Sequence, residues 1–287
     1  MSDTQFTLAS GRKIGVSSYG DPTANNIVLF CNPTGAAGSY NPDPLVTDRY
    51  NVHVITIDRP GFGGSDPWDD AIPPSVDACA EDLAQYLSIS GIAKRRANGE
   101  MSVGVIGWGW GGATALSFAA THLDEHDRVA IVGLVKPGQA RRGDMGSTVA
   151  ELSRPHFISS VAGAAKTMTT DLSNSLTTLG VEPDDPDLTE LGSYGQIQRL
   201  ADNADNDRLG VAFDRLSARN TSWALDLKHL GAAVLLVYGD QDPVANHADA
   251  DWYDHHLHNS TTIHISESGR MVIIPAWDEI LGFLARQ

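Results

Sequence analysis

Val103-Gly-Val-Ile-Gly-Trp-Gly-Trp-Gly-Gly112 is the stretch on which the reading of this chain turns. It opens with Val103–Ile106, an apolar run without alternation, which reads as a strand buried on both faces. Glycines at 107, 109, 111 and 112 then punctuate the chain as a tight turn. A helix-like stretch, Gly112–His122, follows at once. Strand, sharp turn and helix thus meet at Gly109, where a side chain at the tip would face whatever lies above the sheet.

Further short apolar runs occur at Ile27–Cys31, Val52–Ile57, Val129–Val135, Ala233–Tyr238 and Thr261–Ile265. Helix-like stretches are Val76–Ser88, Asn246–Leu257 and Pro275–Ala285. Apolar strands separated by amphipathic helices imply an α/β fold, a mostly parallel sheet with helices on both faces. At the start, Phe6–Ala9 and Lys13–Ser18 alternate around Ser10-Gly-Arg and read as an antiparallel hairpin. Strand character lapses after Val135 and resumes at Ala233, with Pro137, Pro155, Pro183 and Pro186 between. The spacing predicts a core of residues 1–134 and 228–287, interrupted by a helical cap over 135–227. Such insertions sit over ligand sites at the C-terminal ends of strands.

The 287 residues carry a formal net charge of −16. That balance argues against nucleic acid and against an anionic membrane as partners, since both would repel it. No apolar run approaches the ~18 residues of a membrane span. Two cysteines, Cys31 and Cys79, make no disulfide framework. Met1-Ser-Asp-Thr-Gln-Phe has no basic segment leading into an apolar run, so no signal peptide and a cytoplasmic location are expected.

Three segments in order resemble the α/β-hydrolase family. Asp58-Arg-Pro-Gly-Phe-Gly-Gly-Ser-Asp66 resembles the family's D-x-x-G-x-G-x-S loop. Gly107-Trp-Gly-Trp-Gly-Gly112 is similar to the G-x-S-x-G nucleophile elbow in its strand–turn–helix context. Tyr238-Gly-Asp-Gln-Asp-Pro243 resembles the loop that carries the triad acid, which falls on Asp242. The cap position and the segment from Gly269 through Trp277-Asp-Glu-Ile-Leu also fit, so the likeness covers nearly the whole chain outside the cap.

The resemblance also exposes departures. Family members place Ser, Cys or Asp at the elbow's centre, and this chain has Gly109, which offers no attacking atom. The triad histidine is expected in the loop Ser266-Glu-Ser-Gly-Arg270, where Arg270 stands in its place. Arginine stays charged at neutral pH and cannot act as the base. It can pair with Asp242, even through two parallel hydrogen bonds. After the third strand comes Cys31-Asn-Pro-Thr-Gly35, and Pro33 removes an N–H where an oxyanion donor is expected. In another register Asn32-Pro33-Thr34 is similar to the N-P-T of haloalkane dehalogenases. Trp110 then matches the tryptophan after their aspartate, and Asn32 and Trp110 become a pair of anion donors. Epoxide hydrolases share this neighbourhood.

The expected ligand pocket therefore includes Cys31, Asn32, Pro33, Trp108 and Trp110. Cys31 is a substitute nucleophile only if a base reaches it, and buried thiols are usually inert. His156, in the cap, is another candidate base. His247-Ala-Asp249 with His255-His256-Leu-His258 suggests metal ligands, but the spacing does not converge, so no metal and no cofactor are expected. His264 reads as a strand residue. Together these residues imply a degenerate hydrolase that binds a small organic ligand under the cap, or a partner protein, with a homodimer possible. The alternative is an active hydrolase or lyase that uses unconventional pocket residues.

Overall fold

The computed structural model describes residues 4–68, 74–137 and 222–285, together with 179–181, 184–188, 195, 197 and 214 between them. Eight strands form one sheet: β1 (Thr4–Thr7), β2 (Lys13–Gly20), β3 (Asn26–Cys31), β4 (Val52–Ile57), β5 (Ser102–Trp108), β6 (Arg128–Val132), β7 (Ala233–Gly239) and β8 (Ser260–Ile265). Their order is β1-β2-β4-β3-β5-β6-β7-β8. The hairpin β1–β2 is antiparallel, with Thr7 opposite Lys13, and β2 runs antiparallel to β4. Every pairing from β4 through β8 is parallel.

Among the described residues the α-helices are α1 (Pro44–Tyr50), α2 (Val76–Ile89), α3 (Ile92–Ala97), α4 (Gly111–His122), α5 (His247–His256) and α6 (Trp277–Leu284). They explain why the central strands do not alternate. Ile27 and Leu29 of β3 face one core with Leu83 of α2 and Leu116 and Phe118 of α4. Val28 and Phe30 face the opposite core with Trp277, Ile280 and Leu281 of α6. Both sheet faces are covered, so both sets of side chains are apolar. Each fully buried side chain of this kind contributes about 1.5–3 kcal/mol. Among the described residues no helix is long and apolar enough to cross a membrane.

Local chemistry sets the element ends. Asp43 caps α1 by accepting from the backbone N–H groups of Leu45 and Val46, and Pro44 follows at the first helical position. Ser75 caps α2 by accepting from Ala78. α1 and α3 have no counterpart among the helices expected from sequence, because their 7 and 6 residues complete no more than about two turns of period. The apolar run expected as the sixth strand continues to Val135, whereas β6 ends at Val132. Gly133 takes φ +56 and turns the chain, while its N–H still donates to the Val237 carbonyl.

Most of the expected cap, 135–227, lies outside the described residues. Of those described within it, Leu179, Val181 and Ile197 are buried against the α6 side of the sheet.

Candidate functional site

The elbow forms where the sequence places it. Gly109 lies between the end of β5 and the start of α4, with φ +53. Its N–H donates to the Val132 carbonyl at 2.8 Å, and its carbonyl accepts from Gly112 at 3.0 Å. The turn is tight enough to need small residues on both sides. A Cβ on Gly107 would lie 2.4 Å from the Gly112 Cα, and one on Gly111 would lie 2.1 Å from the Cys31 carbonyl oxygen. The glycine spacing in the sequence thus reflects direct backbone contact between β5, α4 and the end of β3.

Arg270 fills the space above this turn. A Cβ on Gly109 would stand 2.5 Å from Arg270 Nη2 and 3.2 Å from the Pro33 Cβ. Arg270 is 2% exposed. Its Nη1 donates to the Gly133 carbonyl at 2.6 Å and to Asp242 Oδ2 at 3.1 Å. Its Nε lies 3.4 Å from the Leu179 carbonyl. The Arg270–Asp242 contact runs through one nitrogen and one oxygen, not through two parallel bonds. The reason is that Asp242 divides its oxygens. Oδ1 accepts from the N–H groups of Val244 and Ala245 and closes its own turn, which leaves Oδ2 for the arginine.

The loop that carries Arg270 is fastened by two carboxylates. Asp187 accepts from the Ser268 hydroxyl at 2.7 Å and from the Gly269 N–H at 2.9 Å. Asp185 accepts from the Arg270 N–H at 2.8 Å. Burial raises the pKa of Asp185, against the hydrogen bonds that lower it. In the sequence these residues belong to an acidic stretch with no visible purpose. Only the folded chain shows that they hold the loop.

A second buried arginine, Arg59, supports the β3 loop from below. Its Nη1 and Nη2 donate to the carbonyls of Asn32 and Pro33 at 2.6 and 2.9 Å. Its Nε and Nη2 also donate to the two oxygens of Asp214 at 3.1 and 2.6 Å. The guanidinium stands 5.0 Å above the Phe62 ring. Arg59 lies inside the D-x-x-G loop quoted above, but nothing in the sequence links it to Asp214. Asp58 in the same loop accepts from Gly38 and Gly64 and binds the two site loops together.

The remaining expected pocket residues are all buried. Asn32 Nδ2 donates to the Gly38 carbonyl at 2.8 Å. Trp110 packs into the core on the α4 side, and Trp108 stacks on Tyr40 with ring centroids 5.7 Å apart. Cys31 is 5% exposed. Burial pushes its thiol up to about 12, only partly offset by Arg59. A thiol held protonated in this way is a poor nucleophile. His156 lies outside the described residues. His264 is on β8, as the sequence suggests.

The arrangement pairs a fixed cation with a fixed anion where a base and the acid that orients it are expected. It offers hydrogen-bond donors and charge, and neither Gly109 nor Arg270 supplies a nucleophile or a titrating base.

Comparison with known proteins supports the architecture. A family model described as alpha/beta hydrolase fold matches residues 27–276, and the chain belongs to that family. Among solved structures it is similar to a bromoperoxidase from Bacillus anthracis, at 19% identity and a TM-score of 0.71, covering 99% of this chain and 100% of that one. It is also similar to an enol-lactonase from Burkholderia xenovorans LB400, at 16% identity and TM-score 0.65, covering 97% of each chain. A hydrolase from Pseudomonas aeruginosa PA01 aligns at 12% identity and TM-score 0.71, over 98% of this chain and 96% of its own. Identities this low speak for the fold alone. A search of curated protein sequences finds no match.

Proposed function

We propose that this chain is a non-catalytic member of the α/β-hydrolase family, a binding protein for a small organic ligand held between the elbow and a cap built from 135–227. In this reading Gly109 stands at the nucleophile position, Arg270 at the histidine position, and Asp242 is the retained acid. The observation that carries it is the guanidinium of Arg270, lodged 2.5 Å from where a side chain on Gly109 would begin and hydrogen-bonded to Asp242 at 3.1 Å. Nucleophile, base and acid must touch in sequence for acyl transfer. Here the middle partner is a permanent cation, and the first has no side chain. Cys31 lends no support to an unconventional enzyme, because its buried thiol stays protonated far above neutral pH. The ligand pocket includes Cys31, Asn32, Pro33, Trp108 and Trp110, with the protein in the cytoplasm.

A serine-reactive phosphonate probe tests this on the intact chain. No covalent adduct is expected by mass spectrometry. A stoichiometric adduct on one hydroxyl, abolished by heat denaturation before labelling, would overturn the proposal.

A further inference from the structure

We propose that Asp240, His247 and His264 form a binding site for a divalent transition-metal ion of the zinc class. Independently of the elbow, the three residues come from three fixed positions. Asp240 directly follows β7, and its N–H donates to the Ile265 carbonyl at 3.1 Å. His247 is the first residue of α5, whose start is set by a capping box between Asn246 and Asp249. His264 lies on β8 opposite Tyr238. One donor atom from each lies within 4.8 Å of the other two.

The distances suit a small coordination sphere. Asp240 Oδ1 is 3.3 Å from His247 Nε2 and 3.9 Å from His264 Nδ1. Tetrahedral zinc, with bonds of about 2.0–2.1 Å, places neighbouring donor atoms about 3.3–3.4 Å apart. The first pair already has that spacing, and the second needs to close by a fraction of an ångström. The two imidazole rings stack with centroids 4.1 Å apart and planes 27° from parallel. Each ring must point its lone pair at the ion, so one ring has to swing about its own bond. Both are partly exposed, at 63% and 31% for the side chains, so this swing leaves the backbone in place.

The donor set selects the ion. Two imidazole nitrogens and one carboxylate suit zinc, nickel, cobalt or copper, whereas magnesium and calcium prefer oxygen alone. Asp251, one turn beyond His247 on α5, adds negative charge beside His264. The chain's net charge of −16 further concentrates cations at its surface. The neighbouring histidines do not join the group. Asp249 spends its carboxylate on the N–H groups of Lys136 and Asn246. His255 and His256 each place Nδ1 2.6 Å from the carbonyl of Asp251 and of Trp252, respectively. A bound ion would clip the turn after β7 to the edge strand β8, and that turn also holds Asp242.

The test uses the full chain, stripped with a chelator and titrated calorimetrically with Zn2+ and separately with Mg2+. One Zn2+ per chain is expected, with no binding of Mg2+. His264→Ala and His247→Ala should each weaken Zn2+ binding at least about tenfold. His256→Ala should leave it unchanged. Zn2+ should raise the melting temperature of the wild type and of His256→Ala, and not of the other two. His247 is an exposed helix-start residue, so its variant should fold normally. Absence of Zn2+ binding, or binding that survives both His247→Ala and His264→Ala, would overturn the site.

Discussion

Arg270 Nη2 stands 2.5 Å from the point where a Cβ on Gly109 would be built, so the arginine and the glycine occupy one another's room. The two positions should therefore be energetically coupled. Gly109→Ser meets both the guanidinium and a backbone at φ +53. It should destabilise the fold by about 1–3 kcal/mol. Combining it with Arg270→Ala should cost less than the sum of the two single changes, by about 0.5–3 kcal/mol. Denaturant unfolding of the four proteins in this cycle measures the coupling, and strict additivity would show that the contact carries no strain.

Arg270→Ala alone should be strongly destabilising. The side chains of Arg270 and Asp242 are 2% and 0% exposed, so removing one leaves the other charge buried. A loss of about 3–5 kcal/mol is expected from such a site. Arg270→Lys should recover only part of it, because an ammonium group cannot reach Gly133 and Asp242 while also standing over Gly109. Equilibrium urea unfolding separates these outcomes.

The sheet and the elbow were legible in the sequence because they are local. Val103–Ile106 followed by four glycines dictates strand and tight turn within ten residues. Asp242 and Arg270 were legible through their places in ordered motifs. What could not be read was long-range polar pairing: Arg59 with Asp214, Asp185 and Asp187 with the Arg270 loop, and His247 with Asp240 and His264. A carboxylate in a surface-like acidic run has no periodicity that distinguishes solvent from a buried arginine. The end of β6 is not legible either, because Val135 continues the apolar pattern after Gly133 has already turned the chain.

Arg59 should prove as important to stability as any core residue. It is 8% exposed, joins the carbonyls of Asn32 and Pro33, and pairs with both oxygens of Asp214. Arg59→Ala should cost about 3–5 kcal/mol. Asp214→Ala should cost a similar amount, and the double variant little more than either single one, since both remove the same pair. Thermal unfolding of the three variants checks this.

The Cys31 thiol supplies a pH dependence whose sign is fixed. Its folded pKa is raised from 9.0 to about 12 by burial. The folded state then holds its proton more tightly than the unfolded chain does. The stability this brings is fully present below pH 9 and is lost as pH rises from there towards 12. Cys31→Ala should show a shallower loss of stability than wild type across that range. In the native protein at pH 8, iodoacetamide should leave Cys31 unmodified, and unfolding should make it reactive.

In the proposed reading the chain holds a hydrolase fold without hydrolase chemistry. The measurement that tests it most directly is turnover of activated p-nitrophenyl esters by the rigorously purified protein, beside a heat-denatured control. The expected rates do not differ between the two. At most feeble activity is expected after Gly109→Ser and Arg270→His are installed together, since the proposed oxyanion position falls on Pro33, which has no N–H. Robust wild-type turnover, abolished by a single substitution in the pocket, would contradict it.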